Sequence, residues 1–246
     1  LNTFNLPDSS IVDGSTNFNT VLYTGNGSTQ SITSLDFGPD LTWIKVTNSA
    51  SYEQMWFDSV RGATKYLRSN NDAAEGTVAN SLTSFDSNGF SLGANGDVNG
   101  STFPIVAWNW KAGGTAVSNT AGTIASQVSA NTTAGFSIVT FTGTQTNQTV
   151  GHGLGVPPEI IITKPLVTQN WVVGATSIGW TKYLHLNLTN AEGTSASPWN
   201  NTAPTDNVYS VGIAPDTNNN GNTMVAYCFA SVEGYSKIGS YTGNGS

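Results

Sequence analysis

The tetrapeptide Thr64-Lys65-Tyr66-Leu67 (TKYL) returns as Thr181-Lys182-Tyr183-Leu184, 117 positions later (181−64). Ala74–Thr77 (AEGT) returns as Ala191–Thr194 at the same displacement (191−74). Two markers that keep one order and one spacing indicate an internal duplication rather than chance. We therefore interpret the chain as an array of related modules.

Weaker markers extend the duplication in both directions. Tyr23-Thr24-Gly25 corresponds to Phe141-Thr142-Gly143 at a displacement of 118 (141−23). The hexapeptide Tyr23–Ser28 (YTGNGS) also returns letter for letter at Tyr241–Ser246, which predicts the start of a third copy. Arrays of this kind build spacers, shafts and multivalent binding surfaces. An active site seldom needs a duplicate.

The composition is that of a folded protein with little charge. A chain of 246 residues with a copy length near 117 predicts two domains of ordinary size. Only 9% of its residues are charged, against roughly 25% in average soluble domains, while 10% are aromatic. Disordered chains have high charge and few aromatic residues, so we expect a folded protein. Surfaces poor in charge also favour an extracellular location.

Charge and hydropathy limit the partners. The net charge is −7 with only 8 basic residues, which argues against nucleic acid, and only Arg61 to Arg68 could form a basic patch. The single cysteine, Cys228, lies in an apolar run and is expected to be buried rather than reactive. No apolar stretch approaches the roughly 18 residues that a membrane span needs.

The apolar pattern is typical of short β-strands throughout. Phe18–Tyr23 and Phe136–Phe141 both end in Thr-Gly, which indicates a strand that runs into a turn. The other predicted strands fall into corresponding pairs: Leu41–Val46 with Glu159–Lys164, Glu53–Asp58 with Asn170–Val173, Tyr66–Arg68 with Tyr183–Leu188, Gly89–Leu92 with Val208–Val211, and Phe103–Trp110 with Met224–Phe229. No segment shows a helical apolar stripe. About seven strands per copy predict an all-β protein of two tandem antiparallel β-sandwich modules, jelly-roll or lectin-like.

These patterns set the predicted boundaries. They are an N-terminal extension at 1–17, a first module at 18–112, a connector at 113–134, a second module at 135–235 and, at 236–246, either the first strand of a third repeat or a strand that closes the second. Ile124 and Val128 give the connector two apolar side chains that could dock on a neighbouring sheet. A flexible linker is the alternative, because the connector is uncharged and rich in Gly, Ser and Thr.

Several segments together resemble repeats of tail-fibre-like and other virion surface proteins of marine bacteriophages. The segments are Phe57–Leu67 (FDSVRGATKYL), Ser81–Leu92 (SLTSFDSNGFSL), Val106–Gly114 (VAWNWKAGG), Gly122–Gly143, Val150–Pro157 (VGHGLGVP), Trp199–Thr202 (WNNT) and Val225–Tyr241. The resemblance covers most of the chain from Phe18 onward. It implies a structural or adhesive part of a virion, located on the virion surface or outside cells, whose partners are other virion proteins and copies of itself. It carries over no catalytic residue.

The sequence offers little for enzymatic chemistry. His152 lies in a glycine-flanked turn and His185 in a strand, and neither has a carboxylate partner that would suggest a catalytic triad. A glycosidase needs two carboxylates about 5–9 Å apart, yet only Glu75 and Glu192 recur in both copies. We expect these two to accept backbone hydrogen bonds in loops, and we predict that the chain is not an enzyme.

A short segment near the C-terminus carries a weak metal signal. Asp216–Gly221 (DTNNNG) matches the first half of a calcium loop, with Asp216, Asn218 and Asn220 as the ligands. The twelfth position of that motif should be an acid, but it is Tyr227. We therefore predict a plain turn and no cofactor, with calcium binding as the alternative.

Tryptophans are the remaining candidates for ligand contact. Trp108 and Trp110 share one strand face, as Tyr227 and Phe229 do in the second copy, and this repeated pattern predicts core positions. Trp180 and Trp199 lie in loop-like surroundings. We predict that these two are surface residues able to stack on a sugar of a host glycan.

The sequence therefore predicts a non-enzymatic structural or adhesive virion surface protein of a bacteriophage. It would serve in a tail fibre, a tail appendage or a capsid decoration as a repeated spacer and display module, with repetition supplying avidity. Two alternatives stay open: a glycan-binding host-recognition module, and a subunit of a bacterial extracellular adhesive filament.

Overall fold

The computed structural model describes residues 11–244, whose regular secondary structure consists almost entirely of antiparallel β-strands. After a 3-10 turn at Gly14–Thr16, the first half (residues 18–112) contains β1 (Phe18–Thr24), β2 (Gln30–Ile32), β3 (Leu41–Val46), β4 (Met55–Asp58), β5 (Lys65–Arg68), β6 (Gly76–Thr77), β7 (Leu82–Asp86), β8 (Gly89–Leu92), the single-turn helix α1 (Gly96–Asn99) and β9 (Pro104–Trp110). The connector forms β10 (Val117–Asn119) and β11 (Ser126–Asn131).

The second half (residues 135–235) follows the same succession with one strand fewer. It contains β12 (Phe136–Thr142), β13 (Gln148–Gly151), β14 (Ile160–Pro165), β15 (Val172–Ala175), β16 (Lys182–His185), β17 (Gly193–Thr194), β18 (Val208–Val211), α2 (Pro215–Asn218) and β19 (Thr223–Phe229). The segment that would correspond to β7 does not form a strand there.

Each half has one large and one small sheet. The large sheet of the first half has the order β1-β9-β3-β4-β5-β6, and the second half has the corresponding order β12-β19-β14-β15-β16-β17. The small sheets are β2-β8-β7 and β13-β18. Phe18 faces Trp110 in one ladder as Phe136 faces Phe229 in the other, so the two registers agree residue for residue. Residues at matching places in the two ladders are called corresponding residues below.

Three buried clusters hold these layers together. One cluster lies between the sheets of the first half, with Ile44 and Phe57 from the large sheet against Phe90 from the small one. A second lies between the sheets of the second half, where Val139 meets Tyr209. The third takes residues from both halves and lies where the outer faces of the two large sheets pack on each other. The layers are therefore small sheet, large sheet, large sheet, small sheet.

The connector is ordered and belongs to the second half. β11 pairs with β12 along six residue pairs, and β10 pairs with β11, which widens the large sheet to eight strands. Ile124 and Val128 are buried in the core of the second half. Their predicted docking is confirmed, and the flexible-linker alternative is wrong, because two apolar side chains and a full strand ladder fix the segment.

The predicted strands are present with boundaries shifted by a few residues, but the segment predicted as a plain turn, Asp216–Gly221, begins within a helical turn. Residues 96–99 and 215–218 each form one helical turn that leads into the last strand of its half. In the first of these, the Asn95 side chain accepts a hydrogen bond from Asp97 N, and in the second Pro215 occupies the first turn. Both residues favour the start of a helix.

The predicted strand at 236–246 is not formed in the residues described. Ser236 makes only an isolated bridge with Val232, and residues 237–244 have no regular secondary structure. In the first half, the same hexapeptide is held by α1, where Asn26 N and Gly27 N donate to the side chain and carbonyl of Asn99. By contrast, Tyr241 in the second occurrence of the hexapeptide is 95% exposed, so in the described chain it is not held by a helical turn. Residues 245–246, and residues 1–10 of the predicted N-terminal extension, lie outside the described residues.

Candidate functional site: the interface between the large sheets

The outer faces of the two large sheets meet through aromatic side chains. Trp56 of the first half lies 5.0 Å from Tyr227 and 5.3 Å from Trp171 of the second half, between ring centroids. Trp110 contacts Phe136 and Phe229 at 6.4 and 6.2 Å. These tilted and edge-on geometries are favourable for aromatic pairs. The interface is thus a packed core that contains residues from both halves.

Strand alternation explains why these residues meet. Side chains on a strand alternate between its two faces, so Trp43 points outward from β3 while Thr42 and Ile44 point to the inner core. The register aligns Trp108, Trp43 and Trp56 as direct neighbours on β9, β3 and β4. Trp110 is partly buried in the shared core and Tyr227 fully, whereas Trp108 is half-buried. The predicted core role of the aromatic pairs is therefore confirmed for Tyr227 and only partly for the others.

A buried charge network crosses the same interface. The guanidinium of Arg61 donates to Asp58, to Glu75 Oε2 (3.0 Å) and to Trp56 O (3.2 Å). Tyr227 of the other half donates to Asp58 Oδ2 (2.7 Å). Arg61 is buried, so it does not contribute to a basic surface patch with Arg68. Burial acts to lower the pKa of Arg61, but the charges of Asp58 and Glu75 outweigh it and keep the guanidinium protonated.

Lys164 is a second buried cation near this interface. Its Nζ donates to Pro165 O (2.7 Å) and Val167 O (2.8 Å). Burial lowers the pKa of Lys164 to about 8, and the negative charges of Asp72 and Asp216 resist that shift. Lys45, the corresponding residue of the first half, binds the carbonyls of Ser49 and Tyr52 in the same way. The lysine is therefore a structural clamp on the loop that follows its strand.

Hydrogen bonds to backbone carbonyls add direct links between the halves. Trp171 Nε1 donates to Arg68 O (2.8 Å), and Glu75 N donates to Leu166 O (2.9 Å). Gln169 N donates to Asp72 O (3.0 Å). Hydrogen bonds to fixed backbone atoms define one relative orientation, because they tolerate little sliding.

At one end, the interface opens into an apolar groove of about 380 Å³. Its lining includes Phe18, Trp110, Phe136, Phe229 and Ile238. Of these, Trp110, Phe136 and Phe229 also belong to the shared core. The groove is a continuation of the interface, and its mostly apolar lining includes no carboxylate, histidine or cysteine side chain.

Trp180 and Trp199 are not surface residues, and the prediction that they are is wrong. Trp180 is 7% exposed and Trp199 is fully buried in the core of the second half. Their rings meet edge to face at 5.6 Å and lie directly over Gly174, where an added Cβ would come within 2.5 Å of Trp180. Loop position misled the prediction, because a loop can insert a large side chain into a core that lacks one.

The candidate calcium loop begins in α2, and its central side chain, Asn218, already makes hydrogen bonds within the protein. Asn218 is fully buried, donates to Thr146 O (2.7 Å) and Gly212 O (2.8 Å), and accepts from Thr144 N (2.7 Å). Asn220 is exposed, and burial raises the pKa of Asp216. Within residues 11–244, no group of three His, Cys, Asp or Glu side chains could hold a metal ion. The arrangement gives calcium binding no support.

The other titratable candidates also make structural contacts. His152 is fully buried, with Nε2 3.0 Å from Thr205 O and with Nδ1 accepting from Leu154 N (3.2 Å). Burial lowers its pKa, and the hydrogen bond that Nδ1 accepts also favours the uncharged imidazole. His185 Nδ1 lies 3.3 Å from Trp171 O. Cys228 is buried as predicted, and burial raises the pKa of its thiol to about 12.

The recurring glutamates do not bind backbone groups as predicted. Glu75 accepts from the Arg61 guanidinium, and Glu192 accepts from Lys182 Nζ. Lys182 and Glu192 are both exposed, so their pairing adds little stability. The two carboxylates therefore serve different purposes, one at the interface and one at the surface.

Sequence reasoning missed the residues that join the halves. Asp58 and Arg61 are three positions apart at the end of an apolar strand, and this spacing of opposite charges was the available signal. The identity of their third partner, Tyr227, could not be read from sequence, because it lies 169 positions away. The site as a whole holds the two large sheets against each other.

Comparison with known proteins identifies a family without a defined activity. A family model described as Domain of unknown function (DUF7483) matches residues 13–246. No curated protein and no solved structure matches the chain. No helix in the described part of the chain is long and apolar enough to cross a membrane.

Proposed function

We propose that this chain, which belongs to the DUF7483 family, is a rigid two-module spacer and display unit on the surface of a bacteriophage virion, in a tail fibre, tail appendage or capsid decoration. Each half is a β-sandwich module, and the two arose by duplication. Support comes from the equal strand order and register of the two large sheets.

The shared core carries this proposal. A flexible pair of domains would bury few residues between its members, and relative motion would be expected. Here Trp56, Trp171 and Tyr227 pack together, and Arg61 and Asp58 form a buried ion pair beside them. Such a joint fixes the distance between the free ends of the two modules, which a spacer requires.

The mode of action is passive. Rigid sheets set the reach, turns at the module ends present contacts, and several copies of the chain on one particle supply avidity. The residues that could have carried chemistry are engaged in structural contacts, so the proposal includes no enzymatic activity. A glycan-binding role has no observation in its favour, because Trp180 and Trp199 are buried.

Labelling of particles tests the location. Antibodies raised against the purified chain should mark the outside of intact phage particles whose genome encodes it, at a fixed appendage or capsid position in electron micrographs. Antibody absorbed beforehand with the chain is the control. Label confined to host cell filaments, or absent from intact particles, would overturn the virion role.

Solution scattering tests the spacer itself. The wild-type chain should give one rigid shape, whereas Trp56→Ser should loosen the joint and increase the maximum dimension. Ile213→Ser, an exposed position outside the joint, is the matched control. A wild-type profile that needs many relative orientations of the two halves would contradict a rigid spacer.

A further inference from the structure

The two large sheets differ in how their corresponding edges are covered. β12 is covered by β11 along six residue pairs, from Ser126 opposite Phe141 to Asn131 opposite Phe136. β1 occupies the corresponding place in the first half and pairs with β9 alone. Within residues 11–244, no strand lies along the other edge of β1. The chain thus contains one filled and one open version of the same edge.

The open edge leaves side chains incompletely covered. On β12, the core-facing residues Val139 and Phe141 are buried, and Val128 of β11 stands opposite Val139. Val21 and Tyr23, the corresponding residues of β1, are only half-buried. On the outer face of the same strand, Leu22 is 77% exposed.

The backbone of β1 presents hydrogen-bonding groups at this edge. Asn17 O accepts from Lys111 N (2.8 Å), and Gly25 N donates to Phe103 O (2.9 Å), which places the odd-numbered residues in the ladder with β9. Antiparallel ladders alternate, so the backbone groups of four residues point away from β9: Phe18, Thr20, Leu22 and Thr24.

The edge has few of the devices that protect free strands. Natural edge strands are usually blunted by lysine, proline or a bulge, but β1 (FNTVLYT) is uncharged, contains no proline and keeps one register with β9 throughout. Two local contacts compete with a new strand. The Asn19 side chain accepts from Thr20 N (2.8 Å), and Gln30 Nε2 donates to Thr24 O (3.3 Å). Both are exposed side-chain contacts that a strand could displace.

We propose that β1 is an acceptor edge for an extended strand of another polypeptide. The filled edge defines the chemistry of that strand. Like β11 (SQVSAN), it is uncharged, runs antiparallel and places an apolar side chain opposite Val21, as Val128 stands opposite Val139. Main-chain hydrogen bonds provide affinity, and the apolar side chain selects the register. The inference rests on the fold and does not depend on the virion role.

A peptide of residues 122–131 (GTIASQVSAN) is the direct probe. Hydrogen exchange of the intact chain with added peptide should slow at the amides of Phe18, Thr20, Leu22 and Thr24. Intervening amides, already bonded to β9, should change little. A peptide with Asp in place of Val128 is the matched control and should bind at least about tenfold more weakly, because burying an unpaired charge costs free energy.

Variants of the chain locate the site. Leu22→Lys should weaken peptide binding about tenfold by the usual effect of an edge lysine, whereas Ile213→Lys, at another exposed position, should leave it unchanged. Absence of slowed exchange at saturating peptide would overturn the proposal. Slowed exchange or peptide incorporation at β12 would also overturn it, since the peptide would then replace β11. Neither outcome affects the particle-labelling result, so the two proposals fail separately.

Discussion

The two halves of the molecule share a backbone plan and fill it differently. Phe57 on β4 corresponds to Gly174 on β15, as their places opposite Thr42 and Ile161 show. Leu82 also corresponds to Trp199. The residue before each of them accepts a hydrogen bond from a glycine N–H: Ser81 O from Gly93, and Pro198 O from Gly212. The second half thus has glycine where a strand of the first half has phenylalanine, and Trp180 and Trp199 from loops fill the same core volume. The ladder is fixed by hydrogen bonds, while the core needs only a constant filled volume.

A substitution in this exchanged set should have the largest effect. Trp199→Ala should lower the free energy of unfolding by about 4 kcal/mol, because it empties a fully buried site beside Gly174 that the sheet cannot close. Chemical denaturation of the purified variant measures the change.

The first half supplies the matched control. The triple variant Gly174→Phe, Trp180→Ala and Trp199→Leu places the first-half residues in the second half, since Ala63 corresponds to Trp180. It should lose much less unfolding free energy than Gly174→Phe alone. Equal losses of unfolding free energy in the single and the triple variant would mean that the core residues of the two halves are not interchangeable as a set.

The joint between the halves provides a comparison of charge with apolar residues. Arg61→Ala should destabilise the chain by about 3 kcal/mol, because it leaves Asp58 buried without its partner. Ala175 and Ile178 stand at the corresponding positions of the second half. The double variant Asp58→Ala with Arg61→Ile should therefore be more stable than Arg61→Ala, as measured by thermal and denaturant unfolding. A double variant that is less stable than Arg61→Ala would contradict this expectation and would show that the ion pair contributes net stability.

Strand positions could be predicted from sequence because they depend on local alternation and turn residues. Phe18–Thr24 and Phe136–Thr142 show this. Burial alternates along the first strand, the second has buried side chains on both faces, and a glycine follows each strand, Gly25 or Gly143. The all-β character followed from the same pattern. By contrast, β11 has only Val128 and Ala130 as apolar residues, so its pairing depends on the neighbouring β12. Its sequence alone resembled a linker.

The candidate site was less predictable because burial is a tertiary property. Trp199 lies in a loop that folds back over a glycine on a strand, and only the three-dimensional fold brings the two together. Arg61 looked like a surface cation because its burial depends on the second half, whose Tyr227 packs over the Asp58–Arg61 pair and donates to Asp58. Local propensity contains no information about such contacts.

A buried asparagine is the last residue of each small helix, and the two asparagines make corresponding hydrogen bonds. Asn99 Nδ2 donates to Gly93 O (2.9 Å) and Ser28 O (2.6 Å), and Asn218 Nδ2 donates to Gly212 O and Thr146 O. Replacement of either residue by Ala should cost about 2 kcal/mol, because several buried polar groups lose their partners.

Asn220→Ala is the control for this pair. Asn220 is exposed, and its replacement should change stability by less than about 0.5 kcal/mol. Calcium should not raise the melting temperature of either the wild type or this variant. A rise that depends on Asn220 would restore the metal-binding interpretation.

The smallest expected effect is a pH dependence confined to the second half. His152 corresponds to Leu35, since both backbone N–H groups bind an asparagine carbonyl, Asn207 and Asn88 respectively. Burial lowers the pKa of His152 below its usual value of 6.5, despite the raising effects of the Thr205 carbonyl and of Asp206. Below pH 6.5 the unfolded chain therefore takes up more protons than the folded one, and stability should fall as the pH falls through this window. Above it, this histidine contributes no slope.

His152→Leu places the first-half residue in the second half and removes the titrating group. The difference in unfolding free energy between wild type and variant, measured from pH 7.5 to pH 5, isolates the histidine because all other groups are common to both. The wild type should lose more stability than the variant on acidification, since only its folded state must exclude a proton that the unfolded imidazole binds. Parallel pH profiles would mean that the imidazole is protonated equally in both states, and a steeper loss in the variant would place the acid-sensitive contact elsewhere. Either result would show that the replacement of Leu35 by His152 does not make the second half sensitive to acid.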